Sequence, residues 1–299
     1  MKRNIWLPTT ILIILSVVTY VVLQGPGERS KSSSSENVLV HFDSAAVDKI
    51  EISSSNGHVV LQKDGDVWYI TSPITKSRAA DPLVNRAVGT GKAVELKTLV
   101  SSNPEKQDLF EVDSTGRLVK FFEKGTERGA FRIGKTTTSF TETYVRLEGS
   151  NDVYIADGML TSIYDKKPKD WRDKGIYKTP RESITHVTFH YGDTTFAVAL
   201  KDSVWMVDDV VIGEPTSFIA SLSKFETEDF VDTTIATLPR LTASIEVNGA
   251  EIHFYFDKIA NKYFVQTTES SQWYSIPLWR AKQVLKRRVE FLAMKKAAA

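Results

Sequence analysis

The chain has 299 residues, of which 41% are hydrophobic, 10% aromatic and 25% charged, the balance of a folded globular protein rather than a disordered one. Its 38 Lys and Arg nearly cancel its 37 Asp and Glu, which argues against nucleic acid as a partner, because phosphate binding needs concentrated positive charge. It has no cysteine, so disulfides, thiolate nucleophiles and cysteine metal sites are excluded.

Residues 5–23 (IWLPTTILIILSVVTYVVL) carry no charged side chain. At ~1.5 Å rise per residue they make a helix of roughly 28 Å, close to the ~30 Å hydrocarbon core of a bilayer. Lys2 and Arg3 precede this span, whereas Arg29 and Lys31 beyond it are partly offset by Glu28 and Glu36. The bias predicts a single-pass anchor in the cytoplasmic (inner) membrane, with the N-terminus in the cytoplasm and the body periplasmic or otherwise extracytoplasmic. A cleaved signal peptide is the competing reading. Against it stand the length of the apolar run and the lack of an Ala-x-Ala site near residues 20–27. Tip and anchor then take residues 1–24, and the Gly- and Ser-rich stretch 25–37 reads as a flexible tether reaching roughly 20 Å.

The body repeats itself. A shift of 137 residues lays Val47, Ile50 and Ile52 on Ile184, Val187 and Phe189, then without a gap Leu61 on Val198, Val67 on Val204, Trp68 on Trp205 and Ile70 on Val207. Each copy predicts three short strands, in the first at 49–53, 58–63 and 68–71 with Asp64-Gly65-Asp66 as a turn. An acidic-Pro pair follows, Asp81-Pro82 or Glu214-Pro215, and suits the first turn of a helix, where N–H groups are unpaired. Next come four alternating strands, at 118–123, 129–133, 143–147 and 153–156, closed by a helix from about Asp157. Their later counterparts are 243–247, 252–256, 263–267 and 273–276. The expected fold is α+β: after the transmembrane helix, a duplicated, mostly antiparallel ectodomain of the form A-B-A′-B′, each module a small sheet with one helix. The first lobe takes residues 38–175 and the second 176–299, with a seam near Gly175–Pro180.

Asp48-Lys49-Ile50-Glu51-Ile52, Gly65-Asp66-Val67-Trp68-Tyr69-Ile70, Ala80-Asp81 and Tyr144-Val145-Arg146 stand in an order and spacing that resembles the bacterial membrane-anchored family named domain of unknown function 4340 (DUF4340). The resemblance spans residues 38–230, and in the second half Glu214-Pro215 stands where the pattern has Ala-Asp. It implies no catalytic residue. It does imply a class of partner, since members are often encoded beside ABC-type transporters.

Sites of chemistry are sparse. His186 and His190 would pair over a metal on a helix, but His186-Val187-Thr188-Phe189-His190 alternates as a strand, which puts the imidazoles about 13 Å apart. His41, His58 and His253 are isolated. Asp208-Asp209 falls at a turn and Glu226–Asp229 near a helix end, without the glycine of a calcium loop. Nucleophile-elbow, P-loop and dinucleotide motifs are missing, and Thr136–Ser139 reads as a hairpin loop. Trp68 and Trp205, matched in both repeats, are expected to be core anchors. No catalytic, cofactor-binding or metal residue is therefore assigned.

Residues 277–294 read as one helix with Leu278, Ala281, Leu285, Val289 and Leu292 on its apolar face. Arg280, Lys282, Lys286, Arg287, Arg288, Lys295 and Lys296 set seven positive charges there against Glu290, and form the candidate contact for a partner or for anionic lipid. Basic residues recur in the corresponding stretch of the first lobe, at Lys166, Lys167, Lys169, Arg172 and Lys174. The expected function is that of a non-catalytic accessory or scaffold protein of the cell envelope, associated with an ABC-type transporter. The alternatives are a module binding a glycan, lipid or peptide in the inter-lobe cleft, or a hydrolase with a carboxylate-only site.

Overall fold

The computed structural model describes residues 37–74, 76–232 and 238–294. The expected span at 5–23, nearly all of the tether, and Lys295 and Lys296 lie outside the described residues, and no described helix is long and apolar enough to cross a membrane.

The first copy of the repeat contains β1 (Lys49–Ser54), β2 (Gly57–Asp64), β3 (Val67–Ser72), β4 (Ser77–Arg78), α1 (Asp81–Lys92), β5 (Leu96–Ser101), β6 (Arg117–Glu123), β7 (Thr126–Thr136), β8 (Glu142–Leu147), β9 (Val153–Asp157) and α2 (Leu160–Tyr164). After β10 (Gly175–Lys178), the second contains β11 (His186–Tyr191), β12 (Thr194–Lys201), β13 (Val204–Val207), β14 (Val210–Val211), α3 (Thr216–Ser223), β15 (Lys224–Glu226), β16 (Asp229–Val231), β17 (Leu241–Val247), β18 (Ala250–Asp257), β19 (Lys262–Thr267) and β20 (Ser270–Pro277). Two short helices close the chain, α4 (Leu278–Val284) and α5 (Arg288–Leu292).

Modules A and B are not separate sheets. Val119 of β6 pairs with Ile52 of β1, fusing them into one nine-stranded sheet ordered β4-β3-β2-β1-β6-β7-β8-β9-β5. The second sheet has the same order, β14-β13-β12-β11-β17-β18-β19-β20-β16. Every pairing is antiparallel, and the mostly antiparallel α+β fold is as expected. Registers agree too: Leu61 faces Ile70 and Lys63 faces Trp68, while Val198 faces Val207 and Leu200 faces Trp205. The turn between these strands needs a left-handed residue, supplied by Gly65 in one copy (φ 61°) and by Asp202 in the other (φ 49°).

The period-2 patterns place one face of each sheet in a core. Ile50, Ile52, Leu61, Val119 and Phe121 pack under Val84, Ala87 and Val88 of α1 and Tyr164 of α2. Val187, Phe189, Val198, Ile245 and Val247 pack under Phe218 and Leu222 of α3, Val284 of α4 and Phe291 of α5. Each fully buried residue of this kind contributes ~1.5–3 kcal/mol. The described residues from Leu39 onward form one compact unit.

The matched tryptophans differ, which corrects the expectation for one of them. Trp68 is 2% exposed because α1 covers it and Asn85 accepts its indole N–H at 3.2 Å. Trp205 is only half-buried. Aligning the helices by Asp81-Pro82 and Glu214-Pro215 puts Phe218 where Asn85 stands, and a buried indole needs the acceptor that Phe218 lacks.

Candidate functional site

Between the sheets the chain runs along the outer edge of β4. Pro168 starts a single 3₁₀ turn that ends at Trp171, and extended backbone follows. Ala80 N–H donates to Trp171 O and Asp173 N–H to Arg78 O, each close to 3 Å, so the segment is held as an extra strand. That geometry aims Arg172 away from its own sheet. Its Nη1 donates to both carboxylate oxygens of Asp232 at 2.8 Å, its Nη2 to Gln272 Oε1 at 2.7 Å and its Nε to Ser77 Oγ at 3.0 Å. The guanidinium also lies 3.7 Å from the centroid of the Phe230 ring. A residue of the first copy thus grips β16 and β20 of the second. Arg172 is 1% exposed, while Asp232 remains 45% exposed at its side chain. The sequence pattern places Arg172 among the basic residues that recur in the stretch corresponding to the C-terminal helix. The correction is that its charge is buried, which only this set of acceptors makes tolerable.

Beside this contact opens a cleft of about 830 Å³. Tyr69, Pro73, Ile74 and Lys76 line it on one side, β10 lies between, and β16 with the β19–β20 hairpin lines the other side. The lining is mainly polar. Asp173 accepts from Lys178 Nζ at 2.5 Å and from Gly175 N–H at 3.0 Å, and lies 3.7 Å from Arg78. Lys76 bonds Asp64 at 2.7 Å, which raises the lysine above its ordinary range and lowers the carboxyl below its own. Burial pushes the Tyr177 and Tyr274 phenols up, so both stay neutral donors. Thr267 is 4% exposed and its Oγ1 has no hydrogen-bond partner among the described residues.

The C-terminal basic residues sit elsewhere, and not on one helix as expected. Pro277 in β20 still pairs with Lys262 of β19, α4 ends at Val284, and the Glu290 carboxylate accepts Arg287 N–H at 2.7 Å to start α5. The break rephases the apolar face: Phe291 is fully buried against Phe189 and Phe218, and Val289 is 69% exposed. Arg280 pairs with Glu228, Arg288 with Asp208 at 2.8 Å and Lys286 with Glu290 at 3.5 Å. The Arg288 bond holds Asp208 below the usual carboxylate range. Lys282 and Arg287 have no carboxylate within 4 Å among the described residues.

The other candidates are dispersed. His186 and His190 lie on β11 and bond Thr188 at 3.2 Å and Thr195 at 3.0 Å. Asp208 occupies the β13–β14 turn with φ 52°. Glu226–Asp229 lies just beyond the end of α3 at Ser223, as expected, where β15 leads into β16. Among the described residues no group of three or more His, Asp or Glu side chains converges as metal ligands do. Asp232, Gln272 and Phe230 were missed by the sequence reading, and no local pattern marks them.

No curated protein and no solved structure matches the chain. A family model does, over residues 68–243, which run from the first core tryptophan into β17 and cover more than half of the sequence. The chain therefore belongs to the family described as Domain of unknown function (DUF4340).

Proposed function

We propose that this chain is a non-catalytic, membrane-anchored binding protein of the cell envelope that takes a polar ligand, a glycan, in the cleft between its sheets. The observation that carries this reading is the cleft itself: about 830 Å³ is within the range of ligand sites, and both copies of the repeat contribute to its walls. Hydroxyls of Ser270 and Ser271 and the Asp173 carboxylate can exchange hydrogen bonds with sugar hydroxyls, and Tyr69 and Trp273 offer ring faces. A mainly polar lining disfavours an acyl chain there. The charge-free stretch at 5–23 and the partner class implied by the family resemblance support an accessory role beside an ABC-type transporter, presenting or sensing what the transporter handles.

The test is titration of the full chain, in neutral detergent, with neutral, acidic and amino oligosaccharides, read by tryptophan fluorescence. Binding that weakens at least tenfold in Ser271→Ala and in Tyr69→Leu supports the reading, since both line the cleft and neither belongs to the Arg172 contact. Binding unchanged by both substitutions, or no binding across the panel, overturns it.

A further inference from the structure

A second cavity, separate from the cleft, lies where the C-terminal segment folds over the second sheet. It measures about 410 Å³ and is bounded by Tyr191 of β11, Tyr263 of β19, and Leu278, Ala281 and Leu285 from α4 and its end. Its floor is apolar, and Lys282, Lys286 and Arg287 stand around it with Glu290. Tyr191 fixes the rim: its phenol donates to Lys286 O at 2.9 Å and its ring lies 3.9 Å from the Arg287 guanidinium. That stacking spreads the guanidinium flat and leaves its N–H edge for a planar or tetrahedral anion.

Charge decides what fits. Lys286 is matched by Glu290, so the uncompensated pair is Lys282 and Arg287, two positive charges over an apolar pocket. Such a site suits an anion carried on an apolar body. Close by in the chain, Trp279 is 52% exposed with the Arg280 guanidinium 4.5 Å from its ring, and Val289 is exposed as well. Exposed Trp and aliphatic side chains among Lys and Arg are the composition of a surface that sits at the headgroup level of a bilayer.

We infer that this cavity is a site for the phosphate headgroup of an anionic membrane phospholipid, with Lys282 and Arg287 on the phosphate and the Tyr191–Leu285 floor against the glycerol and first acyl carbons. The narrower assignment replaces the whole basic stretch by two residues, because Arg280 and Arg288 are already paired. It is independent of what the cleft binds.

The experiment uses the full chain in nanodiscs of phosphatidylcholine, with and without phosphatidylglycerol, and reads hydrogen exchange over residues 278–291. Protection that appears only with the anionic lipid and disappears in high salt is expected. The Lys282→Gln/Arg287→Gln double variant should lose it, with the engagement constant falling about thirty-fold at ~1 kcal/mol per basic group. Lys282→Arg/Arg287→Lys should retain it, and unchanged exchange in β1–β9 shows that each variant is folded. Equal exchange in both nanodiscs overturns the site, as does protection that survives in the double Gln variant. The same protection from inorganic phosphate in phosphatidylcholine discs would assign the pocket to a soluble phosphate instead and refute the lipid.

Discussion

Replacing Asp232 by alanine should destabilise the protein more than removing Arg172, although the two form one ion pair. Arg172 is the buried partner at 1% exposure, and Asp232 is 45% exposed. Without Asp232 the guanidinium keeps only Gln272 at 2.7 Å and Ser77 at 3.0 Å and loses its counter-charge where water does not reach. Breaking a buried pair in this way costs ~3–5 kcal/mol, and the exposure of Asp232 lowers that to ~2–3 kcal/mol because solvent already screens the attraction. Arg172→Met instead leaves a carboxylate that water can solvate and keeps an apolar stem over Phe230, so its expected cost is ~1 kcal/mol. The Arg172→Met/Asp232→Ala double variant should cost little more than Arg172→Met, a coupling of ~2 kcal/mol. Urea unfolding of the full chain in detergent, followed by circular dichroism, measures all three. Additive costs, or Asp232→Ala within ~0.5 kcal/mol of the parent, would show that the contact does not hold the sheets together.

Gly91→Ala should destabilise by ~1–2 kcal/mol despite alanine's better helix propensity, because a Cβ there would overlap the Phe121 ring and come within 3.0 Å of Tyr164 Oη. Phe121 is fully buried and stacked between Phe42 and Phe131, so it cannot yield; a rise in melting temperature would refute this. Trp68→Ala should cost ~3–5 kcal/mol and Trp205→Ala ~1–2 kcal/mol, a ranking that equal shifts in thermal unfolding would reject. Burial holds the phenols of Tyr164, Tyr191 and Tyr274 above the usual range. The folded state prefers their neutral forms, so this contribution is complete below the unfolded value near pH 10 and is lost as pH rises beyond it. Phenolate absorbance should therefore rise in two stages, the second coinciding with loss of circular dichroism, whereas a single stage with the fold intact would contradict it.

Much of the architecture was legible because it rests on local pattern. Alternation at 49–53 and 118–123, the Asp64-Gly65-Asp66 turn and the Asp81-Pro82 helix start each report on a few neighbouring residues, and the structure has a strand, a turn and a helix there. The 137-residue shift carried still more, since matched side chains impose matched registers: Leu61 with Ile70, Val198 with Val207. Short edge strands escaped notice. Leu96–Ser101 buries almost nothing and pairs only with β9, and Asp229–Val231 is three residues long against β20, so neither shows a period. The C-terminal helix misled because its sequence repeats at 3–4 spacing throughout, and only the pull of the Phe189–Phe218 core on Phe291 selects a break near Leu285.

Local pattern specifies the longer strands, their turns, the Asp81-Pro82 helix start and the likeness of the two copies, because side-chain period and turn chemistry act over a few residues. Tertiary structure alone decided that modules A and B share one sheet, that a cleft opens between the copies, and that Arg172 is buried. The acceptors that make that burial possible, Asp232 and Gln272, stand 60 and 100 residues away in the chain. A charge's environment is set by what the fold brings beside it, and no pattern around Arg172 encodes those partners.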